Sequence, residues 1–274
     1  LEDAVGFRAT YAYLIAPSTN LEATYFGTHS WDDAQSVTGT SDLWSVFSDF
    51  GAIFPQVGQQ GFPQTVDEAV FHGIGYSSEL NNAEINLRKR WISGNCLLHG
   101  SYLAGVRYIS LQESFSHNTR VADGGFLNYD LETENDMVGF QIGTEMFVCV
   151  SPRFKLGAEI EAGLFGNDAE YSASVNTREV DQGNVVDANP INELDEKTDV
   201  AFASEASFIG LFRVTPRLTI RGGYTLLYMD GMALATENLN TADSPFGAAG
   251  RTVSIRNQGE AFYHGANLGF TWMW

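Results

Sequence analysis

The sequence predicts an all-β fold, namely a transmembrane, antiparallel, up-and-down β-barrel of about ten strands, within a range of roughly eight to twelve. Three observations lead to this prediction. Polar and apolar residues alternate at every second position through much of the chain, as in strands that separate two environments. The last strand ends in tryptophans, which concentrate at membrane interfaces. Very short connections also alternate with much longer ones, with short periplasmic turns and long extracellular loops as in outer-membrane barrels.

The C-terminal strand carries the clearest pattern. Its even positions Leu268, Phe270 and Trp272 are apolar, whereas the odd positions between them are small or polar. The polar, glycine and aromatic residues at its end resemble the membrane-assembly signal of bacterial outer-membrane barrels, and the alternative is an ordinary edge strand of a soluble sheet. The residues that form this signal are Asn267, Gly269, Trp272 and Trp274.

Nine strands can be identified from the alternation. They lie at about 3–15, 21–28, 81–91, 98–113, 137–150, 153–164, 202–213, 217–228 and 262–274. Tight turns are predicted at Pro17, Gly94, Pro152 and Pro216. Because single-chain barrels usually have an even number of strands, we expect a tenth, either upstream of Leu1 or within residues 30–75.

The whole chain, residues 1–274, is predicted to be one barrel domain with a long insertion at about 30–75. Ser41 is a candidate cap for a short helix from Asp42 to Phe50, which Gly51 would end. This insertion is interpreted either as a packed loop or as a plug or partner-binding cap. Acidic loops are expected at about 114–136 and 167–197.

Charged residues on the inward strand positions predict a filled lumen. Most of the 15 Lys and Arg, including Arg8, fall on that face together with glutamates such as Glu22. Opposite charges that alternate in a narrow interior should pair, so we expect no continuous channel of solute size. The residues expected to form these ion pairs are Glu84, Arg88, Arg90, Arg107, Glu145, Arg153, Lys155, Glu159, Glu161, Glu205, Arg213 and Arg221.

Two internal segments resemble a known family. Residues 82–90 (NAEINLRKR) and 103–111 (LAGVRYISL), with an early EATYFG at 22–27 before Trp31, are similar to the bacterial putative beta-barrel porin family 7. The resemblance implies an integral protein of the bacterial outer membrane. It indicates location more strongly than transport activity.

Other function classes find little support in the sequence. A net charge of −19 argues against nucleic-acid binding, and the scattered histidines have no metal-ligand spacing. No cofactor and no enzymatic activity are expected, although His29 and His264 keep a barrel enzyme as the third reading. The leading interpretation is an architectural or partner-binding envelope protein, and a narrow diffusion porin is the alternative. Expected partners are outer-membrane lipid, the barrel assembly machinery and envelope or surface-layer proteins, and a homo-oligomer is compatible with the sequence.

The two cysteines leave a disulfide open. Cys96 and Cys149 are placed at the same end of neighbouring strands, where an oxidising compartment would permit a bridge. Strand parity puts Cys96 on the lipid face and Cys149 on the lumen face, whereas a bridge requires both on one face unless a bulge intervenes.

Overall fold

The structure, a computed structural model, describes residues 4–45, 67–94, 97–181, 184–187, 191–239 and 253–273. Ten strands form one antiparallel sheet. They are β1 (Phe7–Ala16), β2 (Thr19–Leu43), β3 (Ala69–Ile92), β4 (Leu98–Val121), β5 (Phe126–Cys149), β6 (Phe154–Asp181), β7 (Asn184–Asp187), β8 (Ile191–Arg213), β9 (Leu218–Met232) and β10 (Gly259–Trp272). A search of these residues for a helix with the length and apolarity of a membrane span found none.

Nine strands follow one another along the sheet in chain order, and β1 and β10 form its two ends. The all-β, up-and-down prediction is therefore confirmed. The tenth described strand is β7, a four-residue arm that pairs with β6 and was not expected. The sheet curls until its inner faces meet, because Arg8 on β1 contacts Glu205 on β8 and Trp31 on β2 packs against Tyr263 on β10.

The four predicted tight turns join β1 to β2, β3 to β4, β5 to β6 and β8 to β9. They lie at one end of the sheet, which we call the turn end, and the opposite end is the loop end. Pro and Gly suit these connections because their backbone preferences favour reversals of the chain.

At the loop end, several expected loops are strand instead. The insertion predicted at 30–75 is wrong over residues 30–43 and 69–75, which belong to β2 and β3, while residues 46–66 lie outside the described part. Ser41 does not cap a helix, because it has a positive φ of 68° within β2. The acidic segment 114–136 is a hairpin closed by residues 122–125, and 167–181 continues β6. The polar residues of these two segments are compatible with strands because their outward side chains face water.

Strands β4, β5 and β6 reverse their polarity part-way along their length. On β5, the outward residues on the turn-end side of Met137 are apolar, and Phe140 is 77% exposed. On the loop-end side the inward Leu127, Tyr129 and Leu131 are buried. The outward residues there become acidic: Asp130, Glu132, Glu134 and Asp136. In the turn-end half, these strands therefore present apolar residues to lipid and polar residues to the lumen. In the loop-end half, they present polar residues to water and apolar residues to a core.

The apolar positions of the alternating strands are exposed on the outer surface. Leu156, Ile160 and Ile220 are outward and exposed, as is Leu268 on β10, at 84%. Of the terminal aromatic pair, Trp272 is exposed and Trp274 lies outside the described residues. The assembly signal itself stays a prediction.

The filled lumen as candidate functional site

Arginine and glutamate side chains fill the turn-end half of the lumen. Arg88 on β3 contacts Glu22 at 2.7 Å, Glu159 at 2.8 Å and Glu145 at 3.3 Å. Glu159 also pairs with Arg221 on β9 at 3.2 Å. Since Arg88 and Glu159 lie on β3 and β6, their contact spans the interior. The five N–H donors of a guanidinium suit it to this multiple pairing.

A second charged group lies one layer nearer the loop end. Arg107 on β4 contacts Glu205 on β8 at 3.0 Å and Glu161 on β6 at 3.9 Å. It also donates a hydrogen bond to the side-chain oxygen of Asn82 at 2.9 Å. Arg8 reaches the other oxygen of Glu205 at 2.6 Å. With only 2% of its side chain exposed, Arg107 is held almost entirely by these partners.

In both charged groups, an arginine lies between two glutamates that would otherwise repel each other. Glu161 is directly opposite Glu205 on the neighbouring strand, and Glu159 is directly opposite Glu145. Like charges at such cross-strand positions repel each other. Arg107 contacts both Glu161 and Glu205, and Arg88 contacts both Glu145 and Glu159. Each guanidinium therefore offsets the repulsion and links strands across the lumen.

The predicted ion-pair residues fall into two sets. Arg88, Arg107, Arg221, Glu145, Glu159, Glu161 and Glu205 form ion pairs within the described residues. Glu84 is instead bound by amides, since it accepts hydrogen bonds from Gln141 at 2.5 Å and Asn86 at 2.9 Å. Arg8 and Glu22 complete the network. Their inward positions were predicted, but their membership of the ion-pair network was not.

The remaining predicted cations stand near the turn end outside this network. Arg90, Arg153 and Arg213 are exposed there and enter no ion pair among the described residues. Lys155 lies 3.0 Å from Nε2 of His99, whose Nδ1 is 3.8 Å from the Cys149 sulfur. For these four cations the expectation of lumen pairing is wrong, because hydration is available at the strand ends.

An apolar layer lies directly on the loop-end side of the charges. Its side chains come from β3, β4, β5, β6 and β9, and each is 4% exposed or less. They are Leu80, Ile109, Leu111, Met137, Phe165, Leu227 and Met229. The sequence analysis missed this layer, although consecutive apolar residues such as Tyr108-Ile109 and Leu164-Phe165 mark it in the sequence.

The described parts of the connection between β9 and β10 pack inside the loop-end half. These parts, residues 233–239 and 253–258, are called the inner segment here. Ala233, Ala235 and Ile255 are buried against Tyr129 and its neighbours on β4, β5 and β6. The part of this connection at 240–252 lies outside the described residues.

Buried polar side chains of the wall bind the backbone of the inner segment. Asn135 donates to the carbonyl oxygen of Ala233 at 2.8 Å and accepts from its N–H at 2.7 Å, as a strand neighbour would. Asn167 donates to Asn135 at 3.0 Å. Glu113 accepts from the N–H of Ala235 at 2.8 Å, although burial raises the pKa of this carboxyl.

A histidine pair on the inner face adds a pH-dependent element at the loop end. The rings of His72 on β3 and His117 on β4 lie 5.5 Å apart. Burial lowers the pKa of His117 from 6.5 to about 4, and the neighbouring His72 contributes in the same direction. The folded state therefore favours the neutral ring.

We expect acidification to destabilise this end of the sheet. Because the pKa of His117 is lowered on folding, its contribution to stability is complete above pH 6.5 and is lost progressively as the pH falls towards about 4. The thermal midpoint should drop more between pH 7.5 and 5 in the wild type than in His117→Phe. His264→Gln is the control, since His264 lies on the outer face beside Tyr224. Equal drops in all three proteins would contradict the assignment.

The candidate catalytic histidines are not brought together. His29 packs with Phe26 and Trp31 towards the interior, whereas His264 faces outward. Among the described residues no group of three His, Cys, Asp or Glu side chains could hold a metal ion. The Cys96–Cys149 bridge stays a prediction, because Cys96 lies outside the described residues.

Residues 62–274 match the model of a family described as "Putative beta barrel porin-7". This range covers β3 to β10 and most of the residues that fill the lumen. Searches of curated proteins and of solved structures gave no significant match.

Proposed function

Since the chain belongs to the putative beta barrel porin-7 family, we propose that it is an integral outer-membrane barrel with a closed lumen and an architectural or partner-binding role in the cell envelope. The observation that carries this proposal is the filling of the lumen at three successive levels. Charged pairs occupy the turn-end half, the apolar layer follows, and the inner segment occupies the loop-end half. A water-filled pore requires a continuous polar path, which the apolar layer interrupts.

The water-facing part of the barrel supports a binding role. β4, β5 and β6 extend beyond the apolar band, and the outer face of this extension is acidic on β5 and on the adjoining part of β6. Glu134 is opposite Glu170, and Asp136 is opposite Asp168, on adjacent strands. A stiff, paired sheet that carries this charge above the membrane suits contact with a basic surface of another envelope protein. Lipid and the barrel assembly machinery are the other proposed partners.

A narrow diffusion porin is the second candidate, because the family description contains the word porin. Its support in this chain is the charged turn-end lumen, which would attract ions if the apolar layer and inner segment opened. A catalytic role is not proposed, since the two histidines considered for it lie on opposite faces of the sheet.

Liposome swelling separates the two candidates. Vesicles containing the folded protein are transferred into an isotonic sugar solution, and light scattering follows the entry of the sugar. A closed barrel predicts the swelling rate of protein-free vesicles for arabinose and all larger sugars. Size-dependent swelling, fastest for arabinose, would support the porin instead.

A further inference from the structure

A groove crosses the outer surface of β1 to β5 within the apolar band, close to its loop-end edge. Its volume is about 560 Å³, and its lining is mostly apolar. Most of its lining residues face outward, away from the lumen. Glu84 and Arg107 also border it from their places on β3 and β4, but their side chains are buried in the lumen network on the other side of the sheet. Its outward position makes it continuous with the lipid-facing surface of the barrel.

The strand register explains the shape of the groove. One row of outward residues across the strands reads Ala9, Tyr25, Ala83, Tyr108. The next row towards the turn end reads Tyr11, Ala23, Ile85, Val106. Ala9, Ala23 and Ala83 in these rows leave a floor between larger side chains. Small and large residues therefore alternate across the sheet and create a concave strip.

Two tyrosines form the loop-end wall. The hydroxyl of Tyr25 donates to the side-chain oxygen of Asn81 at 2.8 Å, and that of Tyr108 donates to Asp136 at 2.5 Å. Asn81 and Asp136 lie two residues nearer the loop end than Ala83 and Val138, the strand partners of these tyrosines. Both rings are consequently drawn towards the loop end, and the alanine floor stays open. The bonded hydroxyls mark the level where the membrane meets water.

We propose that this groove is a specific lipid site that holds one acyl chain from the loop-side leaflet. Five strands spaced about 4.8 Å apart make the groove roughly 19 Å long, whereas two residues along a strand make it only about 7 Å wide. A helix of about 10 Å diameter is too broad for this width. A strand from a second copy could pair only with the free edge of β1, at one end of the groove, because β2, β3 and β4 are paired on both sides. An unbranched hydrocarbon chain meets both limits.

Native mass spectrometry of the full chain in non-ionic detergent tests this proposal. The probe is dipalmitoyl phosphatidylethanolamine, with the dihexanoyl form as the short-chain comparison. We expect one lipid of the long-chain form to bind before all others. Ala23→Phe with Ala83→Phe should weaken that binding by about tenfold or more, because the rings occupy the volume of several methylene groups. The dihexanoyl form has the same headgroup but short chains. Its affinity for the wild type should be no higher than that of the long-chain form for the double variant.

Ala158→Phe with Ala162→Phe is the matched control, because both residues face outward on β6, away from the groove. This control should keep the first lipid. Heat-modified mobility on gels verifies folding, and Ala83→Phe alone replaces the double variant if that fails to fold. Equal loss in both double variants, or equal affinity for the two lipid lengths, would overturn the site. A wild-type dimer that the groove variant dissociates would assign the groove to a second copy and overturn it as well.

Discussion

Replacing Arg107 with Met should lower the free energy of unfolding by about 3–5 kcal/mol, the range seen when one partner of a buried ion pair is removed. Arg107 separates Glu161 from Glu205, which are opposite each other on adjacent strands. Without the guanidinium, Arg8 still neutralises part of the charge of Glu205, but Glu161 loses its described ion partner. The unfolding transition of the protein in urea, measured from lipid vesicles, gives the change.

Arg153→Met is the control for this experiment. Arg153 is exposed near the turn end, and substitutions at such positions change stability by about 0.5 kcal/mol or less. If Arg107→Met proved as stable as Arg153→Met, the lumen network would contribute little to the fold. A second comparison, Arg107→Met with Glu161→Gln, should recover part of the loss, because it removes one of the two opposed charges.

Replacing Asn135 with Leu should cost about 2–4 kcal/mol, because it leaves the buried N–H and C=O of Ala233 without hydrogen-bond partners. The isosteric side chain keeps the volume but removes both bonds of 2.7 and 2.8 Å and the contact with Asn167. Hydrogen exchange should also accelerate at residues 233–239. Asn176→Leu, on the exposed outer face of β6, is the matched control. Unchanged exchange in Asn135→Leu would show that packing alone holds the inner segment.

The strand alternation was sufficient to predict the turn-end half of the barrel. Parity alone puts Phe140 and Ile160 on the outer face and Arg88 and Glu159 on the inner face, because successive residues of a strand point to opposite faces. The lumen pairing followed from confinement of opposite charges. Which arginine meets which glutamate did not follow, since those contacts join strands that are distant in the sequence, such as β3 and β6.

The loop-end half was predicted incorrectly because its polarity is reversed. Residues 130–136 were interpreted as an acidic loop, although the alternation of Asp130, Glu132 and Glu134 with Leu131 and Thr133 is also a strand pattern. In a barrel, apolar residues face outward only where lipid is the surrounding solvent. Above the membrane the ordinary rule for soluble proteins returns, and apolar residues face inward.

The inner segment could not be identified from its own residues. Ala233, Leu234 and Ala235 have no strand alternation, and a short apolar run in a connection is also compatible with a loop on the surface. Its position depends on Asn135 and Glu113, which lie about a hundred residues earlier in the chain. Only the folded sheet brings these groups together with it.

Single-channel recording across planar lipid bilayers tests the closed lumen most directly. The folded wild type is added at low concentration, with an open diffusion porin in the same bilayers as the positive control for insertion. The filled lumen predicts no steady current steps from the wild type. The reason is that the apolar layer, which includes Leu80 and Met229, excludes a continuous column of water. Regular, long-lived conductance steps from the wild-type protein would contradict a closed lumen and favour the diffusion porin.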